Sequence, residues 1–303
     1  MPELPEVETV ARGLRAALPG RRIVGVRLGK TDFIDNPAAL EQQLPGSRIQ
    51  GVRRHGKFLV VDLESPDKRS HDISLLIHLG MTGQLVVSAA QAPVAPHTHV
   101  FLALDDGREV RYTDARRFGR MRMVSDMERE AALGRLGLDP LEATQEQFLQ
   151  KLRSRRARIK ALLLDQRVLR GMGNIYTDES LWRARINPLR LGATLKDVEL
   201  RRLHRAVRDV LTQAIKMRGS SISDYVDAEG QPGGFQRRHR VYQREGKKCF
   251  RCGTAIQRTI VAGRSSYYCR RCQPVPRRRP SGNRKGGASS TPTSRTRRSI
   301  AKG

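Results

Sequence analysis

Cysteine is missing from the first 248 residues of this 303-residue chain. No disulfide framework therefore supports the bulk of the fold. Also absent is any apolar run near the roughly 18 residues that a membrane helix needs. The opening MPELPEVETV lacks a basic start followed by an apolar core. Glu3, Glu6 and Glu8 stand where that core would be, so no secretory signal is expected and the cytoplasm is the expected compartment. Acids are scarce: 30 Asp and Glu face 58 Lys and Arg, for a net charge of +28. Such an imbalance points to an anionic polymer as partner, nucleic acid first. An anionic membrane comes second, but no long basic amphipathic helix with a bulky apolar face supports it. From Gln273 onward there are nine Lys/Arg and no acid. The body before them stays strongly basic, so the charge is not only a tail effect.

What is present begins with a helix. Val7, Val10, Leu14 and Leu18 recur at steps of three and four, one apolar helical face. Pro5 suits the first helical position, where a missing N–H costs nothing. Pro19-Gly20 ends the helix. From Arg22 to Val124 the period shortens. RIVGVRL, KFLVVDL, SLLIHL, GQLVV, HVFLAL, EVRYTD and GRMRMV are strand-like runs divided by Gly, Pro and Asp turns. They predict an antiparallel sandwich or barrel. Helical patterning resumes near Glu128 and dominates from Thr144 to Met217, with Asp139 and Thr144 where caps belong. A polar, glycine-rich loop follows at 218–234, then a cysteine module near 243–272. The last thirty residues hold almost nothing apolar and are expected to be disordered.

The strongest local signal is CFRC, sixteen intervening residues, then CRRC. Two such knuckles bring Cys249, Cys252, Cys269 and Cys272 into tetrahedral reach of one zinc ion. Four thiolates leave no open position for water, so that zinc is structural. GMGN at 171–174 lies between two helical patterns, where small residues let the chain approach a phosphate. Alone it is an ordinary helical corner; beside Arg156, Lys160, Arg167 and Arg170 it becomes a DNA clamp. Asn174 caps the following helix or donates to phosphate. HLGMTG and TDARRFG place bulky Met81 and Phe118 in turn-like sequence. Such residues usually belong to a core; the alternative is a wedge driven between base pairs. His97 and His99 share a strand face, but no third ligand stands at metal spacing. Lys57, taken alone, is a solvated charge.

Together MPELPEVET, GKFLV, HLGMTG, YTDARRFG, GMGNIYTDESLW and RSSYYCRRCQ resemble the formamidopyrimidine-DNA glycosylase family, in the family's order over most of 1–273. The resemblance implies a multidomain α+β fold. Its parts are an N-terminal antiparallel β-sandwich flanked by helices (1–135), a helix-two-turn-helix domain with a base-capping loop (136–238) and a β-hairpin zinc finger (239–273). A basic disordered tail (274–303) follows. It also implies a bifunctional glycosylase and AP lyase that removes 8-oxoguanine and formamidopyrimidines from double-stranded DNA. The expected enzyme is a nucleoid-associated monomer.

By the same resemblance, loss of Met1 frees the Pro2 amine as nucleophile. An α-amine has a pKa of roughly 7.7–8, so far more of it is unprotonated at neutral pH than of a lysine. Glu3 is the proton donor. Glu6 is divided between positioning the terminus or water and helix electrostatics. Lys57 assists β-elimination and Arg264 δ-elimination. His97, Arg116, Arg156, Lys160 and Asn174 fall at DNA-contact positions. Met81, Arg116 and Phe118 match the residues that fill the gap left by a flipped nucleotide. ESPDKRSHDIS at 64–74 departs as a lengthened hairpin. The rival readings are an endonuclease VIII-like enzyme for oxidised pyrimidines, a catalytically idle DNA-binding protein on the same scaffold, and a zinc-ribbon transcription or chromatin factor.

Overall fold

The computed structural model describes residues 2–66, 73–222 and 224–275. Helix α1 (Leu4–Ala17) buries Val7, Val10, Ala11 and Leu14, the face set by the three-four spacing. Pro5 is its second residue rather than its first, and Leu18 closes it. The helix serves two cores. Val7 onward packs into the sandwich, whereas Leu4 belongs to the helical cluster with Met172 and Tyr176. Each fully buried leucine contributes about 1.5–3 kcal/mol. The N-terminus is therefore pinned at the seam between the two layers.

The sandwich comprises β1 (Ile23–Leu28), β2 (Arg48–His55), β3 (Phe58–Glu64), β4 (Ile73–His78), β5 (Gln84–Ala89), β6 (Thr98–Leu104), β7 (Arg108–Thr113) and β8 (Arg120–Ser125). A short helix, α2 (Pro37–Gln43), lies between β1 and β2. One antiparallel sheet has the order β1-β6-β7-β5, the other β2-β3-β4-β8. Ile23, Leu59, Leu75, Leu85, Leu102 and Tyr112 meet between them. Strand β2 is not among the apolar runs of the sequence. Its arginines mask the alternation: Ile49 and Val52 turn inward, and so does Arg54, whose buried guanidinium pairs with Glu8 and Asp139.

Helix α3 (Asp126–Leu133) packs Leu133 on Val60, Leu76 and Val124 of the second sheet. The helical part contains α4 (Gln145–Arg153), α5 (Ile159–Leu164), α6 (Asn174–Arg183) and α7 (Asp197–Lys216). Thr144 caps α4: Gln147 N–H donates to its Oγ1 at 3.2 Å, and the Gln147 side chain accepts from Thr144 N–H at 2.9 Å. Asp139 caps no helix. Its buried carboxylate accepts from Leu141 N–H and pairs with Arg54 at 2.8 Å.

The last module is a hairpin, β9 (Gln257–Val261) with β10 (Arg264–Tyr268). It docks on α6 through buried acids. Glu179 accepts the N–H groups of Arg240, Val241 and Tyr242, each at 2.9 Å. Asp178 accepts from Tyr267 N–H at 2.9 Å. No helix among the described residues is long and apolar enough to cross a membrane. The expected disorder beyond 275, and most of the lengthened hairpin at 64–74, lie outside the described residues.

Candidate active site and metal centre

A cavity of about 650 Å³ opens where α1, the β2–β3 turn, α6 and the β9–β10 hairpin converge. Pro2, Glu3, Glu6, Lys57, Met81, Asn174 and Arg264 all line it. Residues scattered from position 2 to position 264 are thus gathered at one place.

Glu3 is buried, and its carboxylate sits on the N-terminus of α6. Ile175 N–H donates to Oε1 at 3.0 Å and Tyr176 N–H to Oε2 at 3.3 Å. Such a seat favours an anion. Burial is the larger effect and raises the carboxyl above its usual range, against the Lys57 charge and the two N–H groups. The seat needs glycine. A Cβ on Gly173 would stand 2.2 Å from Glu3 Cδ.

Glu6 resolves into a brace. It accepts from Glu3 N–H at 2.9 Å, from Ser220 N–H at 2.7 Å and from the Tyr176 hydroxyl. One carboxylate ties the chain terminus, α6 and the 218–234 loop together. Burial first, and then neighbouring Glu3, pushes its pKa up to about 7. A raised carboxyl favours the folded state below its unfolded pKa, and that contribution fades as pH rises through the folded value. The stability of the wild type relative to Glu6→Gln should therefore decline between the ordinary 4.5 and about 7. The slope is at most roughly 1.4 kcal/mol per pH unit. Thermal melts of both proteins across that range check it. A constant gap would mean that Glu6 titrates normally.

Lys57 lies on the turn after β2. Burial lowers its pKa, Glu3 and Glu6 hold it up, and Arg264 lowers it further. Asn174 opens α6 but does not cap it: Gly173 holds the cap position, and the Glu3 carboxylate takes the free N–H groups instead.

Met81 and Phe118 project from two adjoining turns and are 41% and 53% exposed. The Arg116 guanidinium lies 4.5 Å over the Phe118 ring. Buried Asp114 joins the turns, accepting from the Thr82 hydroxyl at 2.5 Å, Gly119 N–H at 2.9 Å and the Tyr112 hydroxyl at 3.1 Å. Gly80 has φ +63°, and a Cβ there would meet the Phe118 carbonyl carbon at 2.4 Å. Two bulky apolar tips are thereby held out of the core they would otherwise join.

His97 and Arg156 are exposed away from the cavity, His97 with φ 62°. The DNA contact expected of Lys160 is corrected. That side chain is 0% exposed, its ammonium donating to Asp178 Oδ1 at 2.7 Å and the Ser265 carbonyl at 2.8 Å. It is a strut between α5, α6 and the zinc hairpin, out of reach of a phosphate. Reading the sequence missed Tyr176, Ser220 and Asp114. Tyr176 follows GMGN by two residues and Ser220 stands in RGSS, but only the tertiary meeting with Glu6 reveals them.

Sγ atoms of Cys249, Cys252, Cys269 and Cys272 all lie within 4.8 Å of one another. Zinc–sulfur bonds of about 2.3 Å in a tetrahedron need sulfur separations near ~3.8 Å. The observed Cys252–Cys269 and Cys249–Cys272 separations are 3.4 and 4.0 Å. The donor set thus fits one structural zinc ion, which crosslinks the two knuckles and supports the hairpin that carries Arg264.

Three family models match in sequence. They are the formamidopyrimidine-DNA glycosylase N-terminal domain at 1–121, its H2TH domain at 136–226, and a zinc finger found in FPG and IleRS at 246–275. Formamidopyrimidine-DNA glycosylase of Pelotomaculum thermopropionicum is 47% identical over 281 residues, covering 91% of this chain and 100% of the relative. A Lactococcus lactis FPG mutant solved with Fapy-dG-containing DNA matches with a TM-score of 0.82 at 35% identity, covering 90% of this chain and 100% of that one. The Lactococcus lactis Fpg solved with abasic-site DNA gives 0.82 at 34%, with the same coverage. The chain belongs to the formamidopyrimidine-DNA glycosylase family.

Proposed function

We propose that this protein is a base-excision repair enzyme, a DNA glycosylase and AP lyase acting on oxidised purines, 8-oxoguanine and formamidopyrimidines, in duplex DNA. The carrying observation is that Pro2, Glu3, Lys57 and Arg264 share one cavity. The cavity is complete within a single chain, which supports a monomer. The net charge of +28 supports the nucleoid as its place of action.

The chemistry follows from the groups present. With Met1 removed, the Pro2 amine attacks the sugar C1′ while the C1′–base bond breaks and its electrons leave with the base. Glu3, whose carboxyl burial raises above its usual range, gives a proton to the sugar ring oxygen. The ring opens, the amine's own N–H proton passes to the departing base, and an iminium joins Pro2 to C1′. A secondary amine cannot shed this charge by losing a proton from nitrogen. The cation therefore draws electrons, and loss of a proton from C2′ expels the 3′ phosphate. A second elimination expels the 5′ phosphate. Lys57, with its lowered pKa, is suited to the first proton transfer, and Arg264 to holding the departing phosphate.

Reaction at C1′ requires the nucleotide outside the stack, which costs a few kcal/mol. Met81, Phe118 and Arg116 are the wedge that fills the vacated space. His97, Arg156 and Asn174 serve as backbone contacts. Excision of 8-oxoguanine and thymine glycol from otherwise identical duplexes tests the substrate class. The purine lesion should be released faster; faster release of thymine glycol would assign the enzyme to oxidised pyrimidines instead.

A further inference from the structure

Helix α6 points its N-terminus at the cavity. Its other end, about 15 Å along a ten-residue helix, meets a second concavity of about 510 Å³ between α7 and the zinc knuckles. Arg185, Arg202, Arg251 and Arg271 line it. Its one acid, Glu199, is already bonded to Arg190. The surface continues along α7, where Arg201, Arg205 and Arg208 are exposed at steps of four and three on one face. None of these seven guanidinium groups meets a carboxylate within 4 Å among the described residues; Arg202 and Arg251 each donate one N–H to a carbonyl at the end of α6, Ala184 and Trp182, and keep their charge unpaired.

Arginine alone supplies this charge, and its planar fork suits phosphate oxygens. Side chains one helical turn apart stand roughly 5–6 Å from one another at Cβ, close to the spacing of phosphates along one nucleic-acid strand. A row of this kind favours a linear polyanion over a compact one. We propose that this face of α7 and the zinc knuckles binds the backbone of a second DNA segment, distinct from the one in the cavity. The proposal goes beyond the catalytic reading and takes from it only that DNA is the polyanion at hand.

The test uses the full chain, loaded with a short duplex carrying a non-cleavable abasic analogue. A labelled undamaged duplex is then titrated in at several salt concentrations. The loaded wild type should bind it, and the triple variant Arg201→Ala, Arg205→Ala, Arg208→Ala should bind it at least tenfold more weakly. The slope of log affinity on log salt should fall by about 2.7, near 0.9 for each phosphate that no longer meets an arginine. Alanine favours the helix, so these exposed changes leave α7 intact. Excision from a short lesion duplex at saturating enzyme should be unchanged in the variant. Equal second-duplex binding and equal slopes in the two proteins would overturn the proposal. So would a loaded wild type that captures polyglutamate but no second duplex, which would mark the face for an acidic protein. Absence of excision in the wild type would sink the catalytic reading and leave the second-duplex result standing.

Discussion

Replacing Glu3 by Gln is expected to lower base excision by roughly 10²–10⁴-fold, the usual contribution of a positioned general acid. Glutamine keeps the volume that fills the space beside Gly173, so the α6 seat stays occupied. It carries no transferable proton. It also turns an amide N–H₂ toward one of the two backbone donors now bonded to the carboxylate. An unsatisfied buried donor costs about 1–3 kcal/mol, so melting should drop modestly while duplex binding persists. Single-turnover excision and thermal melting, measured on one preparation, separate the two effects. A decrease of less than tenfold in excision would remove Glu3 from the proton-donor role.

Gly173→Ala should be nearly as damaging, although position 173 performs no chemistry. The backbone there is extended, with φ −139°, so alanine meets no torsional objection. The obstacle is space: the added methyl would lie 2.2 Å from Glu3 Cδ and 2.4 Å from Oε1. Glu3 must leave the helix N-terminus, and excision should fall toward the level of Glu3→Gln. Overpacking of this kind costs about 1–3 kcal/mol. The clash is pairwise, which makes it separable in a double-mutant cycle. In a Glu3→Ala background the stability cost of Gly173→Ala should vanish. A cost that persists there would place the strain elsewhere, and unchanged excision by Gly173→Ala would mean that Glu3 works away from this seat.

Local physics made the outline of the fold legible. The step of three and four from Val7 to Leu18 is α1, and the cysteine knuckles are the metal centre. Strand β2 hid because arginines stand on both of its faces, Arg54 on the buried one, and a bulge near Gly51 interrupts its alternation. The site was legible only in part, because its support is long-range. Nothing near Glu6 announces Tyr176, 170 positions away, or Ser220, 214 positions away. Lys160 looked like a phosphate ligand because a basic residue at a helix start usually faces solvent. Here Asp178, 18 positions later on the next helix, receives it inside the structure instead. Burial of an ionic side chain depends on its partner's position, which local pattern does not encode.

Borohydride trapping on an 8-oxoguanine duplex tests the Pro2 account most directly. The reagent reduces the iminium to a stable amine, so enzyme and DNA should migrate as one covalent species, with the crosslink mapping to Pro2 by peptide mass. Protein that retains Met1, or whose Pro2 amine is blocked, should give no such species. Absence of an adduct from protein with a free Pro2, or a crosslink that maps to Lys57, would contradict the assignment of the N-terminal amine as the nucleophile.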